Sequence, residues 1–261
     1  TPLILSLPPG VARTTLPRAM YNLIIAIVAG LISFVAVWLS PLGLIAAWLP
    51  LLVVSIGLYI LLARRTGKQL ENIVEHATKE LQQNRVDNGI RILETGYALG
   101  RWQFLIEQQL NSQIGAIYFM QRKFKEAEPY LEKAYSRQWH SQGMLAAIHF
   151  RRHQLDKAVE VMDKAISTSK KEALAYGLYA YMLDKANRRE DALRILQLGA
   201  DRIPDSEPIK ANILRLQNRD RMKMKPFGDD WYQFQFETPS AKRFGQQPPG
   251  RQRRSRRALR G

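Results

Sequence analysis

Histidine is scarce in this chain, with four residues in 261, and two of them, His149 and His153, stand four positions apart. On a helix that spacing puts both rings on one face, the arrangement by which zinc hydrolases hold a metal. Here the stretch reads HFRRH. No glutamate follows the first histidine, HExxH is absent, and Arg151 and Arg152 stand where a cation would be repelled. The pair therefore reads as two helix-surface histidines. There is no cysteine, which removes disulfide, thiol and cysteine–metal chemistry. Asp229 and Asp230 are adjacent carboxylates, but nothing around them sets an acid–base geometry, and they read as a solvated acidic turn. The hydrolase elbow GxSxG, the phosphate loop GxxxxGK[ST] and the dinucleotide pattern GxGxxG do not occur. These residues predict no catalytic group, metal or cofactor, and turn attention to binding.

The elements that would carry a binding surface are set by an uneven charge distribution. The net charge is +16, yet the run from Tyr21 to Ala63 holds no Asp, Glu, Lys, Arg or His. Ser40-Pro41-Leu42-Gly43 interrupts this run with a turn signal. It leaves two arms of equal length, Tyr21–Leu39 and Leu44–Leu62. At ~1.5 Å per residue each arm covers about 28 Å, close to the hydrocarbon thickness of a bilayer. The expectation is a two-helix transmembrane hairpin over 20–63, with the turn at the far surface. Gly30, Ser33, Ala46 and Ala47 would let the helices approach closely. Arg13 and Arg18 before the hairpin, and Arg64, Arg65 and Lys68 after it, place both flanks in the cytoplasm by the positive-inside tendency. A bacterial inner membrane is the expected setting, with both termini and everything after residue 63 cytoplasmic. Residues 1–19, with Pro8, Pro9 and Pro17, read as irregular.

Beyond the hairpin the chain repeats itself. Gly115, Tyr118, Phe124, Ala127, Leu131 and Ala134 form one copy; Ala146, His149, Leu155, Ala158, Met162 and Ala165 a second. Ala180, Leu183, Arg189, Ala192, Leu196, Gly199 and Pro204 form a third, and Ala77, Val86, Gly89, Leu93 and Gly96 an earlier, degenerate one. The small residues Ala127, Ala158 and Ala192 recur at nearly equal steps. Gly89 of the degenerate copy stands farther from Ala127, so extra residues must fit near Arg101–Glu107. Leu155, Ala158, Val159, Met162, Ala165 and Ile166 lie on one helical stripe. Helical hairpins of this kind bury too little alone and must stack.

The pattern resembles the tetratricopeptide repeat, over roughly residues 70–205. The step from Ala158 to Ala192 matches the family period of about 34 residues. His149 and Arg189 depart from the large apolar or aromatic residues of that pattern. The reading is all-α: a two-helix transmembrane hairpin, then a short right-handed tetratricopeptide-like solenoid over 68–221, with Glu207–Arg221 as a capping helix. The resemblance implies protein or peptide binding on the face lined by the first helix of each repeat. Its inward positions here include Gln109, Gln113, Ala116, Gly143, Ala147 and Gly177. The protein-binding candidates among them are Phe119, Met120, Phe150, Arg151, Tyr181 and Lys185, an aromatic stripe with flanking cations suited to anchoring a peptide. The basic and Asn residues of the family's carboxylate-clamp subtype do not recur.

Residues 222–261 read as a separate tail, partly disordered. WYQFQF at 231–236 alternates aromatic and Gln like a short strand or docking peptide, which would either fold back onto the repeats or bind a partner. Residues 237–261 hold eight Lys or Arg and one acid. Arg251, Arg253, Arg254, Arg256, Arg257 and Arg260 are candidates for an anionic surface: anionic lipid, RNA or an acidic protein. The sequence thus predicts a non-catalytic, membrane-anchored adaptor or assembly scaffold for a protein complex, with no cofactor, partnered by proteins and the lipid bilayer. The alternative is a membrane-tethered nucleic-acid or ribosome-docking factor that works through the Arg-rich tail.

Overall fold

The structure is a computed structural model that describes residues 20–39, 43–103 and 105–238. Residues 40–42 of the expected turn, the N-terminal segment 1–19 and the Arg-rich end lie outside the described residues. Among the described residues there are helices and no strand. The chain divides into two compact units, Thr1–Ser141 and Gln142–Gly261.

The first unit begins with α1 (Tyr21–Trp38) and α2 (Gly43–Gln82), which pack along each other. Both are long and apolar enough to cross a membrane. Small residues make their contact: Ala26, Gly30 and Ala47 are buried. A Cβ on Gly30 would collide with the Ser55 side chain and sit 3.0 Å from the Leu51 carbonyl oxygen, so only glycine permits this approach. The helix α2 does not stop where its apolar run ends. It continues without a break through Arg64 and Arg65 to Gln82 and becomes the first helix of the first repeat.

α3 (Val86–Thr95) folds back on α2, and a 3₁₀ turn, Gly96–Arg101, leads to α4 (Ile106–Met120) and α5 (Phe124–Glu132). Leu70 and Ala77 of α2, Ile90 and Leu93 of α3, and Ile106, Leu110 and Ile114 of α4 form one apolar core. The 3₁₀ turn holds the residues that lengthen the step between the first two copies. Tyr97 at its start donates a hydrogen bond to Asn111 Oδ1 (2.6 Å), which keeps a polar group of α4 satisfied at the edge of this core.

The second unit contains most of α6 (Trp139–Arg151), then α7 (Leu155–Thr168), α8 (Ala173–Lys185), α9 (Arg189–Arg202) and α10 (Glu207–Gln217). α8 is apolar nearly all round and buried from Leu174 to Leu183, so it is the central helix of this unit. Gly199 of α9 lets Tyr176 of α8 lie against the backbone: a Cβ there would stand 2.9 Å from the ring. The Tyr176 hydroxyl accepts from Arg202 (2.8 Å) and donates to the Lys170 carbonyl (3.2 Å).

A left-handed residue marks the turn after each first helix: Asn84 (φ 61°), Arg122 (61°), His153 (60°), Asn187 (62°) and Arg219 (60°). The first four precede Gly89, Ala127, Ala158 and Ala192 by one constant offset, so the backbone repeats in step with the side-chain pattern. This turn also corrects the histidine reading. α6 ends at Arg151, so His149 and His153 share no helical face. His149 is buried, its Nδ1 donating to Gln154 Oε1 (3.1 Å), and His153 is the exposed turn residue. Arg189, the other departure from the repeat pattern, is accommodated by charge: its Nε donates to Asp184 Oδ1 (3.2 Å).

Candidate functional site

Each unit presents one face lined by first helices of the repeats, and the two faces differ. In the second unit the face of α6 and α8 is built from equivalent positions of successive repeats. Gly143 corresponds to Gly177, Ala147 to Tyr181, and Arg151 to Lys185. The two glycines leave room for two rings. A Cβ on Gly143 would lie 2.7 Å from the ring of Phe234, and one on Gly177 would lie 2.6 Å from the ring of Phe227. Both rings belong to the segment that follows α10.

That segment is bound along the face. Asn212 of α10 receives its start with two hydrogen bonds: the amide nitrogen donates to the Lys223 carbonyl (3.0 Å), and Oδ1 accepts the Lys223 N–H (2.8 Å). Met224 is buried beyond this clamp. Gly228 (φ 104°) then turns the chain into a short 3₁₀ helix, Asp229–Phe234, where the sequence suggests a short strand or a docking peptide. The tighter winding brings Trp231 and Phe234 onto one side, three residues apart, and both are fully buried. Trp231 packs edge-on against Tyr181 (4.8 Å between ring centroids), and its indole N–H donates to Glu237 (3.1 Å). Phe236 stacks on Trp231 (5.8 Å) and meets the edge of Phe150 (5.8 Å).

Arg151 fixes the end of the segment. Its guanidinium donates to the carbonyls of Phe234 (3.2 Å) and Gln235 (2.6 Å) and lies 5.0 Å from the centre of the Phe236 ring. Charge-assisted bonds to carbonyls are stronger than neutral ones, and the cation adds attraction to the ring face. Lys185 lies over the Tyr181 ring at 5.3 Å. Burial, then the nearby charges of Glu237 and Asp184, pushes the Tyr181 hydroxyl above its ordinary pKa, so it stays protonated at neutral pH.

Of the six protein-binding candidates, the structure brings together Phe150, Arg151, Tyr181 and Lys185, and the chain's own residues 227–236 occupy the face they line. Phe119 is a correction: it is fully buried and packs edge-on against Phe124, so it is core rather than surface. Successive helical residues point about 100° apart, and Met120, the next one, is 54% exposed. Of the two alternatives for the aromatic stretch of the tail, residues 227–236 take the first and fold back onto the repeats. Arg251, Arg253, Arg254, Arg256, Arg257 and Arg260 lie outside the described residues.

The first unit carries an open cleft that sequence reasoning touched only through Gln109 and Gln113. α2 supplies Leu70, Glu71, Val74 and Glu75 as one wall, and α4 supplies Ile106, Gln109 and Gln113 as the other. Its volume is about 790 Å³. A smaller hollow of about 450 Å³ shares Leu105, Gln109 and Gln113 with it and extends to Tyr135 and Arg137. Leu105, common to both, has φ 74°, a left-handed conformation unfavourable for a branched residue. The cleft has the size of a ligand site, with an apolar floor and polar walls. Among the described residues no cluster of His, Cys, Asp or Glu is suited to a metal.

The family comparison falls on the same helices. A family model described as tetratricopeptide repeat matches residues 112–138, which cover most of α4, all of α5 and the turn beyond. No curated protein matches the chain. The match is to a single tetratricopeptide repeat, at residues 112–138 of the 261-residue chain.

Proposed function

We propose that this protein is a non-catalytic adaptor anchored in a membrane by α1 and α2, holding partner proteins through the cleft of its first unit. The observation that carries this reading is the continuity of α2. One helix of 40 residues runs from an uncharged span into the wall of a repeat cleft. Such a helix transmits a fixed height and orientation from the bilayer to a binding surface. Exposure supports the membrane placement: Ile32, Leu49, Val53 and Leu61 are 66%, 71%, 63% and 65% exposed, and in water such a contiguous apolar surface would favour association. In lipid it needs no cover. Repeats of this family generally bind proteins, and the cleft of the first unit is open, whereas the face of the second unit is occupied by residues 227–236. The repeats lie in the cytoplasm in this reading.

The test is capture of partners from gently solubilised membranes by the full chain and by Gln109→Arg/Gln113→Arg. The variant fills the cleft with charge at two partly exposed positions and leaves the core of α4 untouched. The expected result is that partners captured by the parent chain survive nuclease treatment and are lost from the variant, which stays in the membrane. Loss of every partner on nuclease treatment, with no effect of the two arginines, would overturn the adaptor reading in favour of nucleic-acid tethering.

A further inference from the structure

Resting on that reading, we propose that the cleft of the first unit takes the basic flanking segment of another membrane-spanning protein on the same side of the bilayer. Height supplies the first argument. The uncharged run ends at Ala63, and Leu70–Glu75 follow on the same unbroken helix, two to three turns further along. At ~1.5 Å per residue the cleft wall stands roughly 10–18 Å beyond the apolar span. Segments found at that height are the immediate extensions of membrane helices, and on the cytoplasmic side these are rich in Lys and Arg.

Charge supplies the second argument. Glu71 and Glu75 stand one helical turn apart on the cleft wall, and both are exposed. Glu71 makes no ion pair among the described residues. Glu75 pairs with Lys79 at 2.8 Å, with 60% and 58% of the two side chains exposed, a weak pair that a stronger partner can replace. Arg64, Arg65 and Lys68 of the α2 flank are not among the residues that line the cleft. Arg65 lines a different hollow, with Asn22, Thr66 and Trp102. A carboxylate pair repels lipid phosphates and nucleic acid and attracts lysine and arginine.

The remaining lining suits an extended chain. Leu70 and Ile106 are buried at the floor and can take an apolar side chain. Gln103, Gln109 and Gln113 offer amide donors and acceptors to a peptide backbone. Gln103 Oε1 is buried with no hydrogen-bond partner among the described residues. The strained Leu105 lies between these groups, as strained residues often do at ligand clamps.

The experiment uses the full chain in uncharged detergent micelles and two fluorescent peptides, Lys-Arg-Leu-Ser-Leu-Gln and its counterpart beginning Glu-Glu. The basic peptide is expected to bind about tenfold or more tightly than the acidic one, a preference that falls to parity or reverses in Glu71→Lys/Glu75→Lys. Gln109→Ala/Gln113→Ala should weaken both peptides alike. No binding of the basic peptide, equal binding of the two, or an unchanged preference in the charge-reversed variant would overturn the proposal. So would competition of the basic peptide by phosphatidylglycerol vesicles acting on the cleft itself, read as protection of a label at Gln113→Cys. Because micelles replace the bilayer, this assay reads the cleft alone; a failure of membrane anchoring shows instead in the insertion experiment of the Discussion.

Discussion

Replacing Trp231 by Ala is expected to cost the second unit about 3–5 kcal/mol of stability, the range for deleting a fully buried large aromatic side chain. Trp231 is completely shielded, packs against both Tyr181 and Phe236, and keeps its indole N–H paired to Glu237. Its removal leaves a cavity bounded by Tyr181 and Phe236. Neither ring can close it without losing its own contact, because Tyr181 is fixed on α8 and Phe236 by the Arg151 guanidinium. The loss would be read by denaturant unfolding of the full chain, followed by fluorescence of a probe at Arg194→Cys in the second unit. Arg151→Ala should act in the same direction with a smaller effect, since it removes two hydrogen bonds but no large volume. A cost below about 1 kcal/mol for Trp231→Ala would mean that residues 227–236 rest on the face without belonging to it, and that the face is free for a partner.

The second large effect concerns α2. Leu49, Val53 and Ile56 lie on one side of the helix and are 71%, 63% and 56% exposed. Changing all three to Arg is expected to abolish membrane insertion. Each Arg near the centre of a membrane helix costs about 2.5–3.5 kcal/mol on insertion scales, so three exceed what a single apolar arm can offset. The same substitutions in a protein surrounded by water would be harmless, because exposed apolar side chains would give way to exposed charge. The readout is sedimentation of the full chain with membranes after alkaline extraction. Retention of the parent chain and loss of the variant is the expected pair of results. Release of both chains, or retention of both, contradicts the membrane reading.

The elements of the fold were legible because their signals are local. An uncharged run and small residues at the repeat period each act within a few residues, and α1 and the paired helices from α4 to α9 fall on those patterns, whereas α2 runs on past the end of the uncharged run. The filled face of the second unit was legible only in halves. Gly143 and Gly177 at one repeat spacing, and aromatics at 231, 234 and 236, are visible in the sequence. Their pairing is not, because nothing local tells a glycine that makes room for a ring from one that permits a close helix contact. WYQFQF reads as a short strand or docking peptide because Tyr232, Phe234 and Phe236 alternate with Gln, whereas the 3₁₀ winding has a period of three and pairs Trp231 with Phe234. Phe119 failed for a geometric reason: it lies on the buried side of α4 against Phe124, while the next residue, Met120, is exposed. The cleft of the first unit escaped because half of it is the extension of the apolar helix, which sequence reasoning ended at Ala63.

We propose that α1 and α2 cross a membrane and leave the repeats on the cytoplasmic side. The chain has no cysteine, so single cysteines report without background. Leu39→Cys stands at the far end of α1, 77% exposed, and Ser136→Cys lies exposed just after α5. Intact cells are treated with a membrane-impermeant maleimide, with and without permeabilisation. Leu39→Cys is expected to label in intact cells, and Ser136→Cys only after permeabilisation. Labelling of Ser136→Cys in intact cells to the extent seen at Leu39→Cys, or protection of both sites until permeabilisation, would contradict it.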